Sequence, residues 1–423
     1  MNELAQFLTY ASKVFGLPAL LRGIRDHRAY PQIPTAPVLA SLFFGVILRV
    51  GSYLDLSGQT RKRRWRHLIH WPEAISHDTF EYVAERLNLG DLRGALVATN
   101  RQLKAQKALD SAKINGLLFV SLDANEHFHS RSRCCPGCCQ RQMEETADDG
   151  QKRPFTQYYH RYVFAQINGP RLNVLLDLEP IRPGEGEAES ALRLLGRMRR
   201  LYKPRFFDAI TVDAWYAQGP FLRAVEKLGW GWLVVLKQER MEVFQEARTL
   251  SEGSPPGAVF EDERRRRHIR LWEIKDLALS SGYPGKVRVV HSEETWQENR
   301  IAGGRKQSRT RASHWWWAAS EHVLSGYPAR VIHQAGHRRW GIENKAFREL
   351  TQHYHLEHCY HHHPVAMLAQ MLILLLGFNL FNAYALLHSQ KIRMAQITLH
   401  ALAECLREAL QEDLPWDQWF ASG

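Results

Sequence analysis

Cysteine is scarce in this chain of 423 residues: there are six, and four of them crowd into Cys134-Cys-Pro-Gly-Cys-Cys139. So few, placed so close together, exclude a disulfide scaffold and suit a reducing compartment. Acidic residues are also in deficit, 44 against 56 Lys and Arg, which leaves a formal net charge of +12. That balance favours a polyanionic partner, because each neutralised phosphate releases counterions. A basic enzyme with no nucleic-acid partner is the plainer alternative on charge alone. The N-terminus, Met-Asn-Glu-Leu-Ala, lacks a basic region followed by an apolar signal core, so the expected location is the bacterial cytoplasm. No internal repeat or low-complexity segment is evident. Charge itself is missing from Cys359 to Gln390, and Val365 to Leu387 is long enough to span a bilayer. Gln370, Asn379 and Asn382 interrupt that run, and Trp anchors and an upstream basic flank are absent. The expectation is therefore a buried core helix and a protein with no membrane partner.

What is present is organised around His337-Arg-Arg-Trp-Gly-Ile-Glu-Asn-Lys-Ala-Phe-Arg-Glu-Leu350. Ser325-Gly-Tyr-Pro328 reads as a helix start, and Trp340, Phe347, Leu350 and Tyr354 recur at helical steps along one stripe. Glu343 falls on that stripe, where a carboxylate is costly unless a cation or metal meets it. Two upstream apolar runs, Leu117-Leu-Phe-Val-Ser-Leu-Asp123 and Phe206-Phe-Asp-Ala-Ile-Thr-Val-Asp213, read as strands ending in aspartate. Asp123, Asp213 and Glu343 would converge as an all-oxygen site for two Mg2+ or Mn2+ ions, which can clamp the attacking and leaving oxygens of a phosphodiester displacement. With the basic charge, this points to cutting or joining of double-stranded DNA.

The order Leu-Asp123, Val-Asp213, then Arg339-Arg-Trp-x-Ile-Glu343-Asn-x-x-Phe-x-x-Leu resembles the insertion-sequence DDE transposases, in the branch with a β-rich insertion before the last carboxylate. The likeness spans roughly residues 115 to 390. It implies an α/β fold: a ribonuclease-H-like mixed sheet with flanking helices, an inserted β-rich domain and a helical N-terminal domain. It also implies DNA strand cleavage and strand transfer, with a homodimer on DNA. Arg339, one turn before Glu343, could reach the scissile phosphate or form an i,i+4 ion pair with Glu343. The related transposases often carry Tyr, Arg, Glu and Lys at fixed steps. Here only Arg339 and Glu343 match, Gly336 takes the tyrosine position and Leu350-Thr351 the lysine region, which puts that lysine contact in doubt.

Four segments follow from this reading: a helical DNA-binding domain over 1–112, the first part of the catalytic core over 113–237, the β-rich insertion over 238–322, and the rest of the core with C-terminal helices over 323–423. The gap from Asp213 to Glu343 is 130 residues against 90 from Asp123 to Asp213, enough for an inserted module. In the first segment Val38 to Leu48 is an apolar helical run and Ser76 a helix cap, but no clear helix-turn-helix signature appears. Arg61, Lys62, Arg63, Arg64 and Arg66 surround Trp65, so the cations could meet phosphates while the ring packs on sugar or base. Arg264, Arg265 and Arg266, and Lys306, Arg309 and Arg311, are candidate DNA-contact loops in the insertion. A solvated charged surface is the plainer reading of each run.

Cys135-Pro-Gly-Cys138 has the spacing of a zinc half-site, with His160 and the cluster His358-Cys-Tyr-His-His-His363 as available donors. Some insertion-sequence transposases are similar in pairing such a motif with a downstream Tyr-Tyr-His-Arg. Structural zinc is one reading, and free buried thiols or a redox-labile loop the other. His127 and His129 read as loop residues and Glu126 as a neighbour of the carboxylate site. Trp315-Trp-Trp317 on a strand must serve both faces, with at least one ring in the core and the others able to stack on a flipped base. Two other readings stand beside the transposase: a related metal-dependent nuclease or domesticated recombinase, and a non-catalytic zinc-stabilised DNA-binding protein.

Overall fold

The computed structural model describes residues 3–146, 150–203, 205–237, 239–279, 282–302, 305–394 and 396–411, with the side chains of 299–302 and 305–307 left aside. Seven helices come first: α1 (Glu3–Phe15), α2 (Leu17–Gly23), α3 (Thr35–Ile47), α4 (Tyr53–Thr60), α5 (Arg63–Leu68), α6 (His77–Ala84) and α7 (Leu89–Ala105). Then follow β1 (Phe119–Ser130), β2 (Cys139–Thr146), β3 (Lys152–Asn168), β4 (Asn173–Pro180), α8 (Glu187–Tyr202), β5 (Ala209–Val212), α9 (Gly219–Lys227) and β6 (Gly231–Val235). The next stretch is α10 (Glu242–Glu252), β7 (Ala258–Asp262), β8 (Arg267–Ala278), β9 (Lys286–Ala302) and β10 (Arg305–Ser320). The chain ends through α11 (Glu321–Leu324), α12 (Ala329–Arg339), α13 (Arg348–Tyr354), α14 (Pro364–Leu387), α15 (Gln390–Arg393) and α16 (Leu399–Ala409). This is a mixed α/β fold with a large mixed sheet and many helices.

Two compact units divide the chain. One comprises residues 1–112, 124–190 and 343–423, the other 113–123 and 191–342. The helices of 1–112 thus cluster with later segments, a division that differs from the four consecutive segments read from the sequence.

In the first unit, α3 is buried from Pro37 onward because its residues are apolar on every face. Ser76 caps α6 as its sequence suggests, accepting from the Thr79 amide at 3.2 Å. The helix α14 is long and apolar enough to cross a membrane, yet it is buried among α3, α7 and β4. Two of its interrupting polar residues, Gln370 and Asn379, have internal partners; Gln370 Oε1 accepts from the Tyr53 hydroxyl at 3.3 Å. Asn379 accepts from the Leu175 amide at 2.9 Å and donates to the Leu175 carbonyl at 2.7 Å and to Asn100 Oδ1 at 2.9 Å. The β3–β4 register shifts between Ala165 and Gln166, so Asn379 supplies the bonds that a continuous ladder would have made beside the bulge. The β3–β4 hairpin closes at Asn168 and Asn173, as the Asn168-Gly-Pro170 turn suggests. Its extension by β2, paired from Cys139–Tyr159 to Thr146–Lys152, is not foreseen by the sequence.

In the second unit, the start of β1 pairs in parallel with β5, and β5 with β6. Strand β10 joins β6 antiparallel, followed by β9, β8 and β7 in an antiparallel meander. The strands of 238–322 therefore extend one sheet through β6, after an opening helix, α10. The packed core includes Phe119, Leu233, Val290, Trp317, Ile332 and Ala335, which seats α12 on the sheet. Residues 308–311, read as part of a loop, lie on β10 because β9 and β10 pair along their whole lengths. Residues 214–228 form a 3-10 turn, Ala214–Tyr216, followed by α9.

Candidate active site

The apolar run that leads to Asp123 does not end there. β1 continues to Ser130, so Asp123 stands in mid-strand. Asp213 directly follows β5 and caps the 3-10 turn, its Oδ1 accepting from the Trp215 amide at 2.9 Å. The two are related by register. Ser121 pairs with Thr211, and their hydroxyls bond at 2.8 Å. Asp123 and Asp213 each follow this pair by two residues, Asp123 on β1 and Asp213 just past the end of β5. The Leu118 amide donates to Asp208 Oδ2 at 2.7 Å, which holds the strands in this register.

Arg339 ends α12 and lies in the same unit. Its Nη1 is 3.6 Å from Asp123 Oδ2, with the guanidinium 1% and the carboxylate 16% exposed. Glu343, four residues on, is the first residue of the other unit and lies in a π-helical turn, Ile342–Phe347. Such turns shift side-chain register within a helix and are frequent at functional sites. Phe347, Leu350 and Tyr354 are buried, as the stripe requires.

Glu294 on β9 anchors α12. It accepts from His333 Nε2 at 3.0 Å and Arg267 Nη1 at 2.5 Å, and from His337. Burial opposes its ionisation, but these donors prevail and hold its carboxyl far below the usual range. Burial lowers His337, and Glu294 partly offsets that. These three could in principle ligate a metal. Arg267 already takes one oxygen, however, and His333 Nδ1 is buried with no partner among the described residues. The group is better described as a clamped carboxylate that fixes the helix leading to Arg339.

Other expectations need correction. Trp65 is 1% exposed and donates to Ser41 Oγ at 3.2 Å, so it offers no ring to a base. Around it Arg61, Lys62 and Arg63 are exposed, and Arg64 and Arg66 half-buried; Arg66 donates to the Pro72 carbonyl at 2.7 Å. Arg264, Arg265 and Arg266 are exposed in the β7–β8 turn, and Arg309 is exposed on β10. Arg311 pairs with Glu298 at 2.9 Å. The side chain of Lys306 lies outside the described residues. Trp316 stacks on His291 at 3.8 Å, and Trp317 is fully buried beside His333 and His337. Trp315 abuts Trp340 at 5.9 Å. These rings are already occupied by protein contacts. Glu126 is held by Arg141 at 2.7 and 2.9 Å. His127 is a buried strand residue that bonds the Leu356 carbonyl.

The sequence reading missed Trp215. It is 63% exposed, two residues past Asp213, and its amide is the one that bonds Asp213. Its signal was present as a large aromatic in a loop next to a candidate ligand. Cys135, Cys138, His160 and His362, all in the first unit, bring their ligand atoms within 4.8 Å of one another. His160 and His362 were in the donor set, but spacing could not choose His362 among its neighbours.

Residues 176–380 match the family described as the transposase DDE domain. Asp213, Arg339 and Glu343 fall inside the match and Asp123 precedes it. No curated protein matches the chain. A solved structure, the piggyBac transposase synaptic complex with hairpin DNA, is distantly similar, at a TM-score of 0.40 and 13% identity, covering 96% of this chain and 77% of that one. Over residues 176–380, just under half of its length, the chain is thus similar to the DDE domain of transposases.

Proposed function

We propose that Asp123, Asp213 and Glu343 are the carboxylates of the transposase reaction and hold two divalent ions, Mg2+ or Mn2+, on a ribonuclease-H-like core. The observation that carries this reading is the parallel Ser121–Thr211 register of β1 and β5, two residues before Asp123 and Asp213, with Arg339 against Asp123. The donors fit such ions: oxygen alone and only partly buried. When bound, the ions would stabilise charge on the attacking and leaving oxygens. The protein's own part is positional. Asp213 is oriented by the Trp215 amide and Asp123 by the guanidinium of Arg339, which ends the helix that Glu294 anchors. The parallel β1–β5–β6 run and the antiparallel β3–β4 hairpin support the ribonuclease-H-like assignment.

The substrate is double-stranded DNA, gripped through phosphates by exposed cations: Arg61, Lys62 and Arg63 in the helical segment, and Arg264, Arg265, Arg266 and Arg309 in the β meander. A homodimer would bring two element ends together. The test is cleavage of DNA carrying the sequences that flank the coding region, with Mg2+, with Mn2+ and with chelator. Metal-dependent nicking at the ends, followed by joining to a second DNA, is expected. Nicking without joining would instead assign a nuclease, and chelator-insensitive cutting would sink the two-ion reading.

A further inference from the structure

Cys135 and Cys138 lie in a turn between β1 and β2, closed by the Cys138 amide donating to the Cys135 carbonyl at 3.0 Å. His160 reaches them from β3, and His362 from the segment just before α14. Cys135 Sγ and Cys138 Sγ are 3.7 Å apart, too far for a disulfide, and both thiols are free. His160 Nε2 is 3.3 Å from each sulfur, and His362 Nε2 is 3.4 Å from Cys138 Sγ. A tetrahedron with zinc–sulfur bonds of about 2.3 Å and zinc–nitrogen bonds of about 2.0 Å has edges of about 3.8 Å between sulfurs and about 3.5 Å between sulfur and nitrogen. The observed edges match those lengths.

We infer that Cys135, Cys138, His160 and His362 form a closed, structural zinc site that pins the segment ahead of α14 to the β1–β2 turn. Four protein ligands leave no open position, which separates this site from a catalytic zinc. The neighbouring thiols are excluded by position: Cys139 Sγ faces the Ile181 carbonyl at 3.6 Å and Cys134 is exposed. The pinned segment, 355–363, follows α13 and has several other fixings of its own. His127 bonds the Leu356 carbonyl, Tyr360 donates to the Val50 carbonyl at 3.0 Å, and His361 bonds Glu85 at 2.8 Å. Zinc closes that series at its last free end and supplies folding energy that a short polar connector cannot gain by apolar burial. The inference stands independently of the transposase reading, because none of the four ligands belongs to the carboxylate site.

The test is metal analysis of the full-length protein purified with zinc supplied and no chelator. About one zinc per chain is expected. Cys135→Ser and His362→Ala should lose it to a competing chelator at concentrations that leave the parent loaded, whereas His362→Cys, a competent ligand, should retain it. Cobalt exchanged into the parent should give the visible bands of tetrahedral coordination with sulfur-to-metal charge transfer, and His362→Cys should strengthen that charge transfer. Stripping zinc from the parent should accelerate limited proteolysis within 355–363. A metal-free parent that takes up no cobalt overturns the site. Unchanged retention in His362→Ala overturns the fourth ligand, and unchanged proteolysis overturns the pinning.

Discussion

Arg339 Nη1 and Asp123 Oδ2 stand 3.6 Å apart, a nearly sequestered cation against a partly open carboxylate. Arg339 thus has a positioning role before any phosphate arrives. Asp123→Asn should abolish cleavage and strand transfer while leaving end binding intact, read by gel shift and by a plasmid cleavage assay. It also weakens the field around Arg339. The free energy of unfolding should fall, by less than the roughly 3–5 kcal/mol typical of breaking a fully buried pair, since Asp123 retains solvent contact. Parallel loss of binding and cleavage would reassign Asp123 to the fold.

Trp215 presents an exposed ring beside Asp213, and its own amide orients that carboxylate. The amide survives any side-chain substitution, so the ring's role can be isolated. Trp215→Ala should weaken binding of element-end DNA roughly tenfold, within the range for loss of one base-stacking ring, while Trp215→Phe should recover most of it. Equal affinities for Trp215→Ala and the parent in a fluorescence-anisotropy titration would remove the ring from the interface.

Patterns local in the chain were legible. The Asn168-Gly-Pro170 hairpin, the Ser76 cap and the buried α14 all follow from turn chemistry, capping or an unbroken apolar run. Asp123 and Asp213 stood out as candidates because each closes a short apolar run, whereas the pairing of Arg339 with Asp123 was not foreseen. What escaped depends on pairings distant in sequence. The extent of β1 past Asp123, through polar residues such as Asn125 and Glu126, cannot be read from apolar content. Residues 308–311 look like a loop until β9 is seen to pair them. Trp65 was misjudged because cations on either side suggested an open surface, while Ser41, 24 residues earlier, supplies the buried partner of its indole.

Gly336 occupies the position where related transposases often carry tyrosine, and Trp317 explains it. A Cβ built at Gly336 would lie 2.3 Å from Trp317 Nε1. Trp317 is itself fully buried against His333 and His337 and cannot swing away cheaply. Gly336→Ala should therefore destabilise the protein by about 1–3 kcal/mol, as overpacking does, measured by urea denaturation. Pairing it with Trp317→Phe, which removes the clashing nitrogen, should restore part of the loss. A neutral Gly336→Ala would show that α12 moves freely over β10.

Burial lowers the pKa of both His127 and His291 to about 4. The Leu356 carbonyl partly opposes the shift at His127, whereas His314 adds to it at His291. Because the unfolded chain carries both near the usual 6.5, it binds protons between pH 6.5 and 4 that the folded chain refuses. Stability should be flat above pH 6.5 with respect to these two groups. It should fall below that point by about 1.4 kcal/mol per pH unit for each, until the folded forms protonate near pH 4. For one histidine the whole loss is on the order of 3 kcal/mol. His291→Gln keeps a flat polar group between Trp272 and Trp316 and removes the titration. Its free energy of unfolding, measured in urea between pH 7 and 4.5, should fall less steeply than the parent's. Superimposable slopes would mean that His291 protonates as readily in the fold as out of it.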